Sequence, residues 1–169
     1  SLADAGIVRG VTENTYAPGR NITRADFAIL LVRAFNLASD STDNFIDVEP
    51  DAYYAKELAI AKANGIINGV GGNRYNPRAT ITRQDMMVIV ARTLRTVGYD
   101  LGAGSEDVLN SFIDRGMISD YAKADVIALV SEGLIAGSNG QINPKGNATR
   151  AEVAVLLWRI LEETSGSGS

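Results

Sequence analysis

One phrase occurs three times along this chain, and that repetition constrains its fold more than anything else in the sequence. Gly6-Ile7-Val8-Arg9-Gly10, Gly65-Ile66-Ile67-Asn68-Gly69 and Gly133-Leu134-Ile135-Ala136-Gly137 each hold two apolar residues and a variable one between glycines. Pro18, Pro77 and Pro144 follow the second glycine by eight, eight and seven residues. Five residues after each proline come Thr23-Arg24-Ala25-Asp26, Thr82-Arg83-Gln84-Asp85 and Thr149-Arg150-Ala151-Glu152. The threonines stand 59 and 67 residues apart, so the unit is about 55 residues plus a variable linker, the signature of a repeat architecture. Two linkers, residues 39–44 and 98–106, are polar or glycine-rich and lack helical period.

Each unit carries two helical segments. After the Thr-Arg phrase, apolar residues fall at Phe27, Leu30, Leu31, Ala34 and Phe35, and again at Val153, Leu156, Leu157, Ile160 and Leu161. That is the i, i+3, i+4, i+7, i+8 stripe of an amphipathic helix. The second unit matches through Met86, Ile89, Val90 and Leu94, with Thr93 as a polar lapse. Upstream of the glycines, Phe45-Ile46-Asp47 recurs as Phe112-Ile113-Asp114 and Tyr54-Ala55 as Tyr121-Ala122, ahead of a short apolar helix. Phe45 precedes Gly65 by 20 residues, so its counterpart before Gly6 would fall ahead of Ser1 and the first unit lacks its first helix. The expected division is 1–37, 38–98 and 99–163, with the Gly/Ser tail 164–169 set aside as an appended linker. Three stripes, each too small to bury itself, imply a shared core, most simply a mainly α, pseudo-threefold arrangement around a central helix bundle.

Thr23, Thr82 and Thr149, each three residues before an acid, form capping boxes in which hydroxyl and carboxylate satisfy unpaired helix-start amides. Arg24, Arg83 and Arg150 fall at the first helical position, where the helix dipole disfavours a cation by about 0.3–1 kcal/mol. Their recurrence makes them candidate ligand contacts, because a guanidinium beside free helix-start amides can receive a carboxylate or phosphate. On that reading Arg83→Lys weakens binding and leaves stability nearly unchanged. The plain alternative is a surface ion pair. Arg33, Arg92 and Arg159, nine residues further on, lie across the helix from them, near its C-terminal end, and read as structural. Gly10, Gly69 and Gly137 are either helix-stop residues or points of close ligand approach. Arg20, Arg78 and Lys145, beside the prolines, are candidate auxiliary contacts.

Composition narrows the chemistry. With no Cys and no His, thiolate and histidine metal sites, disulfides and Ser-His or Cys-His nucleophiles are excluded by inventory. The segment Asp40-Ser41-Thr42-Asp43-Asn44 fails as a calcium loop because Phe45 and Asp51 stand where glycine and glutamate are required. A formal charge of −4 argues against nucleic acid as partner. No apolar run approaches the roughly 20 residues that span a bilayer, and no signal-peptide layout opens the chain. The expectation is therefore a soluble domain without metal or cofactor and without enzymatic activity, either a mature form or part of something larger.

The succession Phe-x-Asp, aromatic-Ala, Gly-Ile-x-x-Gly, proline loop and Ile-Thr-Arg-Ala-Asp resembles the S-layer homology repeat over nearly all of residues 1–163. The resemblance implies a three-pronged spindle with ligand grooves between neighbouring repeats. It also implies non-covalent anchoring of a surface protein to the cell wall through an acidic secondary cell-wall polysaccharide, often carrying pyruvylated N-acetylmannosamine, with Arg24, Arg83 and Arg150 as carboxylate or sugar contacts. Its expected setting is the extracellular face of a Gram-positive-type wall, and its expected state a monomeric pseudo-trimer or one completed by another chain. Departures are Gln84 and Ala148, both mild, and the missing first helix. A protein-interaction array with no glycan site remains the alternative, and a hydrolase the third class.

Overall fold

The computed structural model describes residues 20–137 and 139–167, with side chains as far as Glu162. Five α-helices carry it: α1 Arg24–Ala34, α2 Ala55–Ala63, α3 Arg83–Thr96, α4 Asp120–Ser131 and α5 Arg150–Ser167, with short 3-10 segments at Glu106–Ser111 and Arg115–Met117. Extended pairing among the described residues is confined to isolated bridges. The chain is thus mainly α, as the repeat pattern implies. Helix α5 runs into the Ser165-Gly166-Ser167 stretch that composition sets apart.

Helices α1, α3 and α5 are the three helices that follow the Thr-Arg phrases, and each starts where its threonine accepts from the amide three residues on: Asp26 N at 3.1 Å, Asp85 N at 3.3 Å and Glu152 N at 3.2 Å. Their apolar stripes converge on one continuous core, in which Phe27, Leu31, Val90, Leu94, Leu157 and Ile160 are all buried. Thr93 fits inside it because its hydroxyl donates back to the Ile89 carbonyl at 2.8 Å, the usual way a helix accommodates a buried hydroxyl.

The pseudo-threefold relation is visible in the backbone itself. Ile22 N donates to Ala148 O (3.2 Å), Ala148 N to Ile81 O (2.9 Å) and Ile81 N to Ile22 O (3.1 Å), a closed triangle of hydrogen bonds between the three residues that precede the helix caps. A second cycle surrounds it. Arg24 N donates to Ala79 O, Arg83 N to Gly146 O and Arg150 N to Arg20 O, so each helix start is satisfied by the proline loop of the next unit. Around this centre α2 packs on α1 and α4 on α3, so the first helices of the second and third units lie on the central helix of the unit before them.

The Phe-x-Asp phrase fixes the loops. Asp47 accepts from Tyr75 N (3.0 Å) and Asn76 N (2.8 Å), and Asp114 from Ile142 N (2.9 Å) and Asn143 N (2.8 Å). Each carboxylate therefore clamps two successive amides of the segment that leads into the proline loop.

Candidate functional site

The first-turn arginines and the capping acids form a ring of ion pairs across the unit boundaries. Arg24 Nη1 lies 3.3 Å from Asp85, Arg150 Nη2 donates to Asp26 at 2.8 Å, and Arg83 grips Glu152 with both Nε (2.6 Å) and Nη2. The cation at each helix start is thus offset by the acid of the next helix. Those acids do not close the carboxylate half of the capping box. They face the arginines instead, and Asp26 and Asp85 also accept from the hydroxyls of Tyr53 (2.6 Å) and Tyr121. Burial of each hydroxyl, then the hydrogen bond to the neighbouring carboxylate, pushes both tyrosines up to about 12. Arg24 is the most committed arginine: Nε donates to the Tyr75 carbonyl at 2.8 Å and its guanidinium stacks 4.5 Å from the Tyr75 ring centre.

Two clefts open at these boundaries. The smaller, about 340 Å³, is walled by Arg24, Gly69, Tyr75, Asp85, Arg92 and Tyr121. The larger, about 570 Å³, takes Arg83, Gly137, Ile142, Glu152 and Arg159 at equivalent places, with Val155 on its wall as well. Each combines a first-turn arginine of one unit with the loop glycine, acid and second arginine of the next.

Several expectations change against this geometry. The helix-start amides are not free to receive an anion, because the proline loops already occupy them: Ala25 N and Gln84 N donate to Pro77 O and Pro144 O, beside the Arg24, Arg83 and Arg150 amides described above. Gly69 and Gly137 are left-handed but do not stop helices; Gly65 and Gly133 do that, one residue past the C-caps Asn64 and Glu132. A Cβ on Gly69 would sit 2.4 Å from the Arg74 carbonyl and 2.9 Å from the Phe45 ring, and one on Gly137 2.6 Å from both the Gln141 carbonyl and the Phe112 ring. These glycines make room for the protein's own loop. Gly10 lies outside the described residues. Arg20, Arg78 and Lys145 are exposed and line neither cleft, so nothing supports them as auxiliary contacts there. Arg92 and Arg159, read from sequence as structural, line the clefts; Arg33 is exposed. Helix arithmetic does set Arg83 and Arg92 on different sides of α3, but each cleft draws its two arginines from two units, which a single-helix view does not reveal.

The family model for the S-layer homology domain matches residues 1–28, 44–87 and 111–154. The chain belongs to the S-layer homology family. It is 34% identical over 96% of its length to an amylopullulanase of Thermoanaerobacterium thermosulfurigenes. It is 30% identical over 99% to the surface-layer 125 kDa protein of Lysinibacillus sphaericus, and 34% over 97% to the exoglucanase XynX of Acetivibrio thermocellus. The matched segment spans only 9%, 14% and 15% of those relatives. What they share with this chain is therefore the S-layer homology module, a binding module of S-layer and other surface proteins, and no catalytic function passes to it through these matches.

Within the S-layer homology pattern, two residues carry more than the sequence discloses. Gln84, a departure that looks mild, is buried; its Oε1 accepts from Ser119 N (3.0 Å) and its Nε2 donates to Ser119 Oγ (3.0 Å) and Tyr121 Oη (3.2 Å), tying the start of α4 to α3. The counterpart of Tyr121 is Tyr53, not Tyr54. Tyr54 is buried, while Tyr53 and Tyr121 present exposed rings and bond the acids. Counting back 12 residues from Gly65 and Gly133 reaches both, whereas counting on from the Phe-x-Asp phrase slips by one.

Proposed function

We propose that this module anchors its parent protein to the cell wall by holding an acidic secondary cell-wall polysaccharide in the clefts between repeats, with a ketal-linked pyruvate the favoured acidic group. The observation that carries this reading is the charge of the clefts. Each holds two arginines against one carboxylate, Arg24 and Arg92 with Asp85, Arg83 and Arg159 with Glu152. One positive charge is left over in each, inside a concave, partly apolar site that suits a sugar ring. Arg92 makes no ion pair among the described residues, so its fork is open to a carboxylate. Arg24 and Arg83 keep roles as walls and secondary donors, since most of their forks already face Asp85, Tyr75 and Glu152. Exposed Tyr121 offers the smaller cleft a ring face.

Calorimetric titration of purified wall polymer tests this, with and without chemical removal of its acidic groups. Arg92→Ala is expected to weaken binding by tenfold or more, about 1.4 kcal/mol, and removal of pyruvate to do the same. The unequal clefts lead to unequal losses for Arg92→Ala and Arg159→Ala. Unchanged affinity in the acid-stripped polymer overturns the charge-based reading and returns the module to a protein-interaction array.

A further inference from the structure

Three asparagines in this chain precede a glycine: Asn64, Asn68 and Asn139. Such a pair is prone to ring closure, because asparagine is thermolabile and glycine has no side chain to shield its amide nitrogen from the preceding carboxamide. The fold treats the three pairs differently. Asn64 caps the end of α2 with both reacting groups engaged: its Nδ2 donates to the Ile60 (2.9 Å) and Ala38 (3.2 Å) carbonyls, and the Gly65 amide donates to Lys62 O at 3.0 Å. Asn139 and Gly140 are both left-handed, with φ of 53° and 73°, the paired conformation that Asn-Gly takes in a tight turn and that ring closure has to unwind. Asn68 is exposed and not left-handed, and neither its carboxamide nor the Gly69 amide has a hydrogen-bond partner among the described residues.

Asn68 also lines the smaller cleft, together with Arg24, Gly69, Asp85 and Arg92. The larger cleft has Ala136 at the equivalent place. A carboxylate at position 68 brings the smaller cleft from two arginines against one acid to two against two, in the same cavity as the open fork of Arg92. An isoaspartate there lengthens the backbone of a loop with no slack. A Cβ on Gly69 would already stand 2.4 Å from the Arg74 carbonyl, and Val70 N donates to that same carbonyl at 2.7 Å.

We propose that Asn68-Gly69 is a site of self-modification, where deamidation slowly disables the smaller cleft. The Gly69 nitrogen attacks Asn68 Cγ; the new N–Cγ bond replaces the Cγ–Nδ2 bond, and Nδ2 leaves as ammonia with the amide proton. Water then opens the cyclic imide, giving aspartate when it breaks the bond to Cγ and isoaspartate when it breaks the bond to the main-chain carbonyl carbon. The net change is amide plus water to acid plus ammonia, with no change of oxidation state. The product cancels the cleft's surplus positive charge, so the anchor loosens by the chain's own chemistry. That consequence rests on the function proposed above; the reaction does not.

The full chain is aged in warm, mildly alkaline buffer beside a synthetic peptide of residues 63–74, which carries Asn64 and Asn68 without the fold. Fragment mass spectrometry with an isoaspartate assay is expected to find Asn68 converting about tenfold faster than Asn64 or Asn139 in the chain, a barrier difference of about 1.4 kcal/mol. Asn64 or Asn139 keeping pace with Asn68 in the chain overturns the proposal, as does Asn68 staying intact there while the peptide is consumed. So does the same bias between Asn64 and Asn68 in the peptide, which would assign the difference to local sequence. Polymer affinity is then read in Arg159→Ala, which leaves the smaller cleft as the tested site. The deamidated fraction, separated by its extra negative charge, is expected to bind acidic wall polymer about tenfold more weakly than fresh protein. Asn68→Gln, whose longer carboxamide closes a ring far more slowly, is expected to keep its own starting affinity through the same incubation. Equal affinity of deamidated and fresh protein, where the fresh protein still discriminates acidic from acid-stripped polymer, overturns the loosening. Fresh protein that ignores the acidic groups overturns it together with the proposed function, while the mapping still decides the reaction.

Discussion

Arg83 shows how far a single residue's role depends on what faces it. At a helix start, lysine and arginine are nearly interchangeable in propensity and equally disfavoured by the dipole, which is why sequence alone predicts that Arg83→Lys leaves stability untouched. The structure reverses that expectation. Nε and Nη2 of Arg83 hold both oxygens of Glu152 across the boundary between the second and third units, and a lysine offers one point donor where the fork offers two. Arg83→Lys is expected to cost about 1 kcal/mol, in keeping with a partly exposed, charge-assisted pair. Urea denaturation measures it; a midpoint equal to wild type would remove the pair from the stabilising contacts. What was legible at this scale was the recurrence of arginine at the helix start. Its partner was not, because Glu152 lies 69 residues away and nothing local announces it.

The proline loop and the helix it caps behave as one element. Asp47 gathers the amides of Tyr75 and Asn76, and a few residues later the same segment presents the Pro77 and Ala79 carbonyls to the first amides of α1. Releasing the clamp therefore loosens a cap in another unit. Asp47→Ala leaves two backbone amides without their carboxylate and is expected to cost about 2–3 kcal/mol, with Asp114→Ala close behind because its two bonds have the same lengths to within 0.1 Å. Thermal unfolding of both variants checks this, and near-wild-type melting of either would show the loop to be held by its apolar contacts alone. The Phe-x-Asp phrase was legible as a recurring mark; its function as a clamp was not, since the amides it serves are 28 and 29 residues downstream.

At the scale of the whole molecule, two of the unit boundaries are also crossed by hydroxyls that titrate only in alkali. Tyr53 joins the second unit to the first and Tyr121 the third to the second, each through its hydroxyl to a capping acid. With their folded-state values raised from 10.0 to about 12, the neutral phenols are favoured by folding. Their contribution is whole below pH 10, where both folded and unfolded states keep the proton, and declines as pH rises from 10 towards 12, because the unfolded chain ionises first. The rings are largely exposed, so screening keeps the effect small. Stability measured by urea titration is expected to fall between pH 10 and 12, more steeply in wild type than in Tyr53→Phe, Tyr121→Phe. Identical slopes would show that other groups set the alkaline limit.

The sequence by itself determined the elements and their kinship. Periodicity, capping threonines and recurring glycines act over a few residues, so they specify where helices begin, which face is apolar and that three units must share a core. The sites arose only in three dimensions. Each cleft takes one arginine from a unit and the second arginine, the acid and the glycine loop from the next, and the helix-start amides that looked open are filled by a neighbour's loop. Cyclic closure brings these groups together, and cyclic closure pairs residues by their place around an axis rather than by their distance along the chain. The half-exposed stripe on α5 has the same origin: Val155 and Trp158 belong to an ordinary apolar face in sequence, and only the structure shows that their counterparts on α1 and α3 are buried while they are not.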